Sequence, residues 1–371
     1  MLGEVWFASG QSNMTMLVKG GFNQPLSGSN DAILHSNNRR IRMWTSDLVT
    51  ANKPNDNIGG SWEVANVKNT PNFSAVGYFF AEKLERVLDV PVGIVLSGWG
   101  GTPIESWMDK ESLESYPEYS YHTNSDTLRF RQPSVLWNSM IHPFLGLKVK
   151  GMLWYQGESN WEHPFEYAEL FPKMINTWRN QWGDGDIPFY YVQVSPKDRS
   201  DVNTAFLLEA QEKTMDVTKH TGMVVIHDIG ECWQIHPREK QTIGKRLAYW
   251  AFSKDYGIEN IGYQSPRYKS MTEDAEGRLL LDFEADAGGL STFDKELTGF
   301  QVAGSDRIFY NAKAHIKWNT SKVIVWSEKV KKPIAASYLF DDCGETTLFS
   351  GAGLPVGSFR TDDWPDEILY K

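Results

Sequence analysis

Cysteine is scarce: Cys232 and Cys343 are the only two in the chain. Two are too few for a disulfide framework and can pair only if the fold brings them together, so the sequence favours two free thiols over one bridge. No apolar run approaches the roughly 20 residues of a membrane-crossing helix. Met1-Leu2-Gly3-Glu4 leads straight into an apolar stretch, so no signal peptide is expected in these residues. Positive charge is in deficit as well. A net charge of −10 argues against nucleic acid or an anionic membrane as partner. There is no His-Glu-x-x-His, no paired Cys-x-x-Cys and no His cluster at ligand spacing, so no metal is expected. The Gly-x-x-x-x-Gly-Lys phosphate cradle is missing too, and no cofactor is expected. Internal repeats and low-complexity segments are absent.

What is present is a globular composition. Hydrophobic residues make up 41% and charged residues 23% of 371 positions, enough chain for two domains with real cores. Trp and Tyr number 15 each. Flat aromatic faces suit sugar rings, although most such side chains fill cores.

Residues 5–8 and 41–44 read as strands, and 52–70, rich in Asn, Lys and Gly, as loop. Residues 74–88 read as a helix, because Val76, Phe79, Phe80, Leu84, Val87 and Leu88 fall at spacings of three and four. Residues 92–96 read as a buried strand, 133–141 as helix and 150–155 as strand. Tyr167, Leu170, Phe171, Met174, Ile175 and Trp178 make the next apolar stripe, and Pro172 inside it should kink or restart the helix. A strand at 189–194, a helix at 205–217, a strand at 223–226 and a helix from near Pro237 complete the pattern. Strands alternating with helices predict βαβ units and a parallel sheet covered on both faces, with ligands beyond the carboxyl ends of the strands. From about Gly257 short β-type runs follow one another between turn residues, which predicts an all-β domain. The expected division is therefore 1–257 and 258–371, with 354–371 returning to the first domain.

Four stretches end apolar runs and carry chemistry. They are Gly10-Gln11-Ser12-Asn13, Trp99-Gly100-Gly101-Thr102, Gln156-Gly157-Glu158-Ser159-Asn160 and Asp228-Ile229-Gly230-Glu231-Cys232-Trp233-Gln234-Ile235-His236-Pro237. Each should reach the same sheet edge. Ser12 follows a Gly turn, one way to lift a nucleophile clear of a strand, but Met14 stands where a Gly-x-Ser-x-Gly elbow would have its second Gly. With these motifs in order, the chain resembles the sialate O-acetylesterase family of SGNH hydrolases from Gly3 to about Ala248, and again at 358–364. The resemblance implies a three-layer αβα (flavodoxin-like) catalytic domain, a carbohydrate O-acetylesterase activity and a periplasmic or extracellular location. Members of that family commonly carry a β-rich segment before the Gly-Glu-Val-Trp strand, where this chain begins.

A serine hydroxyl needs a base. His236 stands out among eight His because Pro237 and a helix follow it, and a helix N-terminus keeps an imidazole neutral. The resemblance gives it the same role. His35, His122, His142, His163, His220, His227 and His315 read as surface or satisfied core residues. The oxyanion needs donors, each worth roughly 3 kcal/mol. The Ser12 N–H, a Gly of the Gly100-Gly101 turn, and the amide of Gln156, with Asn160 in reserve, are the candidates. Gln11, Asn13, Trp99, Glu158 and Trp233 are the candidate substrate contacts, with Trp107 and Trp161 as further aromatics beside the motifs.

The third triad member departs from the family pattern. The resemblance places an Asp three residues before the His, where this chain has Trp233. A backbone carbonyl, Glu231 or Asp228 must orient His236 instead, and a Ser–His dyad supported by backbone is the favoured reading. The rival of another class is a non-catalytic carbohydrate-binding protein on a degenerate scaffold. Sialic acid carries a carboxylate that an Arg would recognise. No Arg lies within the four motifs, so a neutral polysaccharide such as xylan is as good a candidate.

Overall fold

In the computed structural model, which describes residues 3–116, 129–199, 202–286, 288–341 and 343–364, the chain divides into two compact units. The first takes in 1–194, 210–223 and 236–257, and the second 195–209, 224–235 and everything from Ile258. The elements up to residue 257 are β1 (Glu4–Gly10), α1 (Ser12–Thr15), α2 (Ser29–Leu34), β2 (Asn38–Ser46), β3 (Gly60–Ala65), α3 (Ala75–Leu88), β4 (Val92–Gly98), α4 (Lys110–Leu113), β5 (Gly151–Tyr155), α5 (Pro164–Trp182), β6 (Phe189–Val192), α6 (Ala205–Val217), β7 (Thr221–Val224) and α7 (Lys240–Lys254).

The strands form a seven-stranded sheet in the order β3-β2-β4-β1-β5-β6-β7. Pairings of β1 with β4 and β5, β2 with β4, and β5 with β6 are parallel. Strand β3 runs antiparallel to β2 at the edge and lies in the stretch expected as loop. Its first four residues are exposed, so it carries no apolar alternation that would mark a strand.

Adjacent residues of β1 point to opposite faces and fix the layers. Trp6 meets Phe80 of α3 at 4.9 Å and Tyr190 of β6 at 6.0 Å, and Tyr190 stacks on Trp250 of α7. Phe7 meets Trp178 and Trp182 of α5 on the other side, at 6.2 and 5.2 Å. The result is the αβα sandwich expected. On one face α7 crosses α3 at Gly244, where a Cβ would lie 2.8 Å from the Phe80 nitrogen.

Two expectations need correcting. Helix α5 runs through Pro172 without restarting, because the buried stripe from Tyr167 to Trp182 lies on both sides of it. Helix α7 begins at Lys240 with Glu239 as its N-cap. His236 therefore stands outside the first turn, where the dipole argument applies.

The chain adds β2 and β4 on one side of β1, then crosses to β5 on the other. That reversal is a topological switch point. Gly10 lies opposite Gly98 of β4 and Tyr155 of β5, so three neighbouring strands end level and release their loops at one edge.

The second unit contains β8 (Arg267–Glu273), β9 (Leu279–Glu284), β10 (Leu290–Ser291), β11 (Phe300–Ala303), β12 (Phe309–Asn311), β13 (Lys313–Ile316), β14 (Lys322–Trp326), β15 (Ala335–Tyr338), β16 (Phe349–Ser350) and β17 (Phe359–Arg360). They form antiparallel sheets β12-β11-β15-β17 and β13-β14-β9-β8 and the pair β10-β16. Leu281, Val302, Val323, Val325, Ala336 and Tyr338 are buried in its core. Arg360 holds Glu209 through two bonds of 3.0 and 3.1 Å. The last seven residues lie outside those described.

Cys232 and Cys343 form a disulfide within this unit, 111 residues apart in sequence. This corrects the expectation of free thiols. The number of Cys carries no information about distance in the fold, and the 224–235 excursion brings Cys232 to the β-rich segment. Closing so long a loop restricts the unfolded chain, an effect worth about 2–4 kcal/mol. The double substitution Cys232→Ser, Cys343→Ser should therefore lower the melting temperature. Thiol titration of unfolded, unreduced protein should find no free thiol; finding two would refute the bridge.

Candidate active site

Ser12 opens α1 directly after β1, and its Oγ lies 2.8 Å from Nε2 of His236. The turn is built on Gly10, whose φ is +134° and where a Cβ would sit 2.2 Å from the Tyr155 carbonyl oxygen. Only glycine fits. The Gln11 N–H donates to that same carbonyl at 3.0 Å, tying the turn to the end of β5. On the other side the Trp99 N–H donates to the Gly10 carbonyl at 3.0 Å. Gly100 presses against the serine: a Cβ there would be 3.3 Å from Ser12 Cβ. Gly101 is needed for its φ of +73°, since a Cβ there would meet nothing within 4 Å. Its carbonyl accepts from Arg131 Nη1 at 2.7 Å.

The two candidate amides differ in what they have left to give. Gln156 is fully buried, and its Nε2 donates to the Thr102 carbonyl at 3.1 Å and to Asn160 Oδ1 at 2.7 Å. Both of its N–H donors are in use. Asn160 Oδ1 also accepts from the Ile104 N–H, and its Nδ2 donates to Glu105 Oε2 at 3.1 Å, which leaves that amide one hydrogen. The preference for Gln156 over Asn160 as a donor is thus reversed by the local bonding. Burial raises the Glu105 carboxyl above its usual range.

Gln11, Asn13 and Glu158, expected at the substrate, are buried and bonded internally. Gln11 Oε1 accepts from the Ser159 N–H at 3.3 Å. Asn13 Nδ2 donates to Glu158 Oε1, and Asn13 Oδ1 accepts from Lys240 Nζ. Lys240 is wholly buried, 5.0 Å from the centre of the Tyr155 ring. Sequence reasoning missed it, although a cation at the first position of a helix is electrostatically misplaced and so was a signal. Arg131 and Glu105 carried no such signal.

The aromatics divide. Trp107 and Trp161 are core residues, as is the Trp154 ring. Trp99 is half-buried and stacks on Phe130 at 5.1 Å with the rings nearly parallel. Trp233 is 81% exposed in the second unit, beside the small bridge that Glu231 makes with Gln234. His227 is buried, and among the described residues neither of its nitrogens is hydrogen-bonded, so it is not the satisfied core residue expected. His122 lies outside the described residues.

Burial lowers the pKa of His236 from 6.5 to about 4, and the Lys240 cation pushes it the same way. Its Nδ1 is buried and holds no hydrogen bond among the described residues. The backbone carbonyl expected to orient the ring is therefore not in place. What the arrangement offers is a neutral imidazole on a serine hydroxyl, beside a glycine turn and the first N–H groups of a helix, which have no intrahelical partner.

Residues 2–252 match the family model described as "Carbohydrate esterase, sialic acid-specific acetylesterase". The chain belongs to this family. Sialate O-acetylesterase from Homo sapiens is 31% identical over 296 residues, covering 72% of this chain and 56% of that protein. The chain thus spans little more than half the length of that relative. The Mus musculus sialate O-acetylesterase is 30% identical over 88% of this chain and 69% of its own length. A solved carbohydrate acetylesterase from Xanthomonas citri shares 35% identity with a TM-score of 0.87, covering 98% of this chain and 81% of that one. Among the described residues no helix is long and apolar enough to cross a membrane.

A pH effect follows from the burial of His236. The unfolded imidazole titrates near 6.5 and the folded one near 4. Between those values the unfolded state binds more protons, so stability falls as pH drops through that window. An NMR titration of the His236 ring should give a midpoint near 4; an ordinary midpoint near 6.5 would contradict the burial argument.

Proposed function

We propose that this protein is a serine esterase that removes O-acetyl groups from carbohydrates. The observation that carries the reading is the 2.8 Å contact of Ser12 Oγ with His236 Nε2 in a member of an acetylesterase family. Ser12 Oγ attacks the acetyl carbonyl while His236 Nε2 takes its proton. The tetrahedral oxyanion is met by the Ser12 N–H, the Gly100 N–H and the remaining hydrogen of Asn160. The C–O bond to the sugar breaks, and the proton on His236 passes to the departing sugar oxygen. Water then attacks acetyl-Ser12, with His236 again as base, and acetate leaves.

The pair acts as a dyad. With no carboxylate on Nδ1, the imidazolium formed during attack is stabilised less than in a Ser-His-Asp triad. In exchange the base stays unprotonated well below neutral pH. Glu231 remains the alternative orienting group, and a loss in Glu231→Ala as deep as that in His236→Ala would assign it that role.

The acyl pocket is expected to be small, because Gly100 packs so close to the serine that an added Cβ would lie 3.3 Å from Ser12 Cβ. Trp99 with Phe130 supplies a flat face for a pyranose ring. Both neutral polysaccharide and acetylated sialic acid fit this description. Arg131, bonded to the Gly101 carbonyl, favours an acidic sugar, whose carboxylate a guanidinium would meet. The disulfide agrees with an extracellular or periplasmic setting. The missing carboxylate on Nδ1 is what the non-catalytic sugar-binding alternative rests on, and turnover of a simple acetyl ester separates the two.

Ser12→Ala and His236→Ala should each lower kcat/KM for p-nitrophenyl acetate by roughly a thousandfold or more while the protein stays folded; activity of Ser12→Ala within about tenfold of the parent sinks the mechanism. Acetate should turn over faster than octanoate. Acetate release from 9-O-acetyl sialic acid should exceed that from acetylated xylooligosaccharide and fall selectively in Arg131→Ala. The reverse preference, unchanged by Arg131→Ala, would name the neutral sugar.

A further inference from the structure

The buried Nδ1 of His236 holds no hydrogen bond among the described residues, yet its ring is held on Ser12. Something else must fix the segment that carries it. Pro237 follows it, and Lys240 follows four residues on, at the first position of α7. The Lys240 side chain turns inward and is wholly buried. Its ammonium donates to the side chain of Asn13, the residue next to the nucleophile. The two segments are thus joined at two points: Ser12 to His236, and Asn13 to Lys240. Moving the whole His236 segment away from the Ser12 turn would have to break both bonds. Asn13 also donates to Glu158 on the loop after β5, so its amide lies between a cation and a carboxylate and is polarised by both. The third loop is fastened to the same point.

We propose that Lys240 is a positioning residue of this site, which pins the His236 segment to the Ser12 turn through Asn13 and places a cation beside the imidazole. This rests on the reading of Ser12 and His236 as nucleophile and base. In a Ser-His-Asp triad a carboxylate orients the ring by bonding Nδ1. Here orientation comes from behind, through the chain, and the sign of the neighbouring charge is opposite. A carboxylate favours imidazolium; an ammonium disfavours it. The groups around Lys240 are few. Glu158 faces it from the loop after β5, the Tyr155 ring from the end of β5, and His236 from its own segment. Glu158 has its carboxyl raised by burial, and the Tyr155 phenol is raised well above its usual range. Burial lowers the ammonium itself to about 7, so Lys240 is charged on the acid side of neutrality, where the imidazole titrates; burial first, and then that charge, hold His236 in the basic form.

Lys240→Met alone would leave Glu158 buried without its counter-charge, so the informative variant is Lys240→Met with Glu158→Gln. With p-nitrophenyl acetate it should show kcat reduced by roughly tenfold to a hundredfold at little change in KM. The acid limb of kcat/KM should move to higher pH, because the imidazole no longer has a cation beside it. An NMR titration of His236 in the same protein, which needs no activity, should move the same way. Lys240→Arg keeps the charge and should restore the acid limb but not the full kcat. Parental kcat and an unmoved acid limb in the folded double variant overturn the proposal. If that variant does not fold, Lys240→Arg decides: parental kcat refutes positioning, and a lowered kcat on an unmoved limb supports it. Full activity in Ser12→Ala would instead remove the reading underneath while leaving the His236 titration interpretable.

Discussion

The close approach of Gly10 to the Tyr155 carbonyl is the constraint on which the site depends. It lets β1 and β5 end in register, with β4 level on the other side. Three loops then start from one edge, and each carries one part of the proposed site. Ser12 comes from the central strand, the Gly100-Gly101 turn from β4, and the Gln156–Asn160 amide pair from β5. A methyl group at residue 10 would force two backbones apart. The misplacement would appear at the oxygen of Ser12, several bonds away, where distances of tenths of an ångström decide whether a proton transfers.

Around that edge the protein builds two layers of polar contact. The inner layer is Ser12, His236 and the glycine turn. The outer is a buried mesh: Gln156 on Asn160, Asn160 on Glu105, Asn13 between Lys240 and Glu158. Buried polar groups of this kind cost stability unless each finds a partner. Here most find one another, although Gln156 Oε1 and Glu158 Oε2 hold no hydrogen bond among the described residues. The same residues that look like substrate contacts in the sequence, because they adjoin the nucleophile, are those whose polarity is absorbed into the scaffold.

Much of this was legible in the sequence. The Ser12–His236 pairing was read from polar motifs that close apolar runs together with the family resemblance, while the helix N-terminus invoked for His236 lies further on; α3 and α5 followed from their own periodicity. Three features were not legible, each for a physical reason. Strand β3 is an exposed edge whose pairing is made by backbone, so its side chains give no pattern. The Cys232–Cys343 bridge depends on proximity in space. The division of labour between Gln156 and Asn160 depends on which hydrogens are already committed, and residue identity does not encode that. Pro172 shows the converse error: a strong local rule was overridden by a buried stripe that runs past it on both sides.

The disulfide also bears on Trp233. An indole that is 81% exposed ordinarily rides on a loop that samples many positions and must surrender that freedom to any flat ligand it grips. The residue before it is covalently anchored to Cys343, so much of the loop's freedom is removed when the bond is made, long before a ligand arrives. The backbone at Trp233 is therefore held more closely than that of an untethered loop. Reducing the bond would leave the same ring with the same chemistry and a larger entropic penalty for every contact it makes.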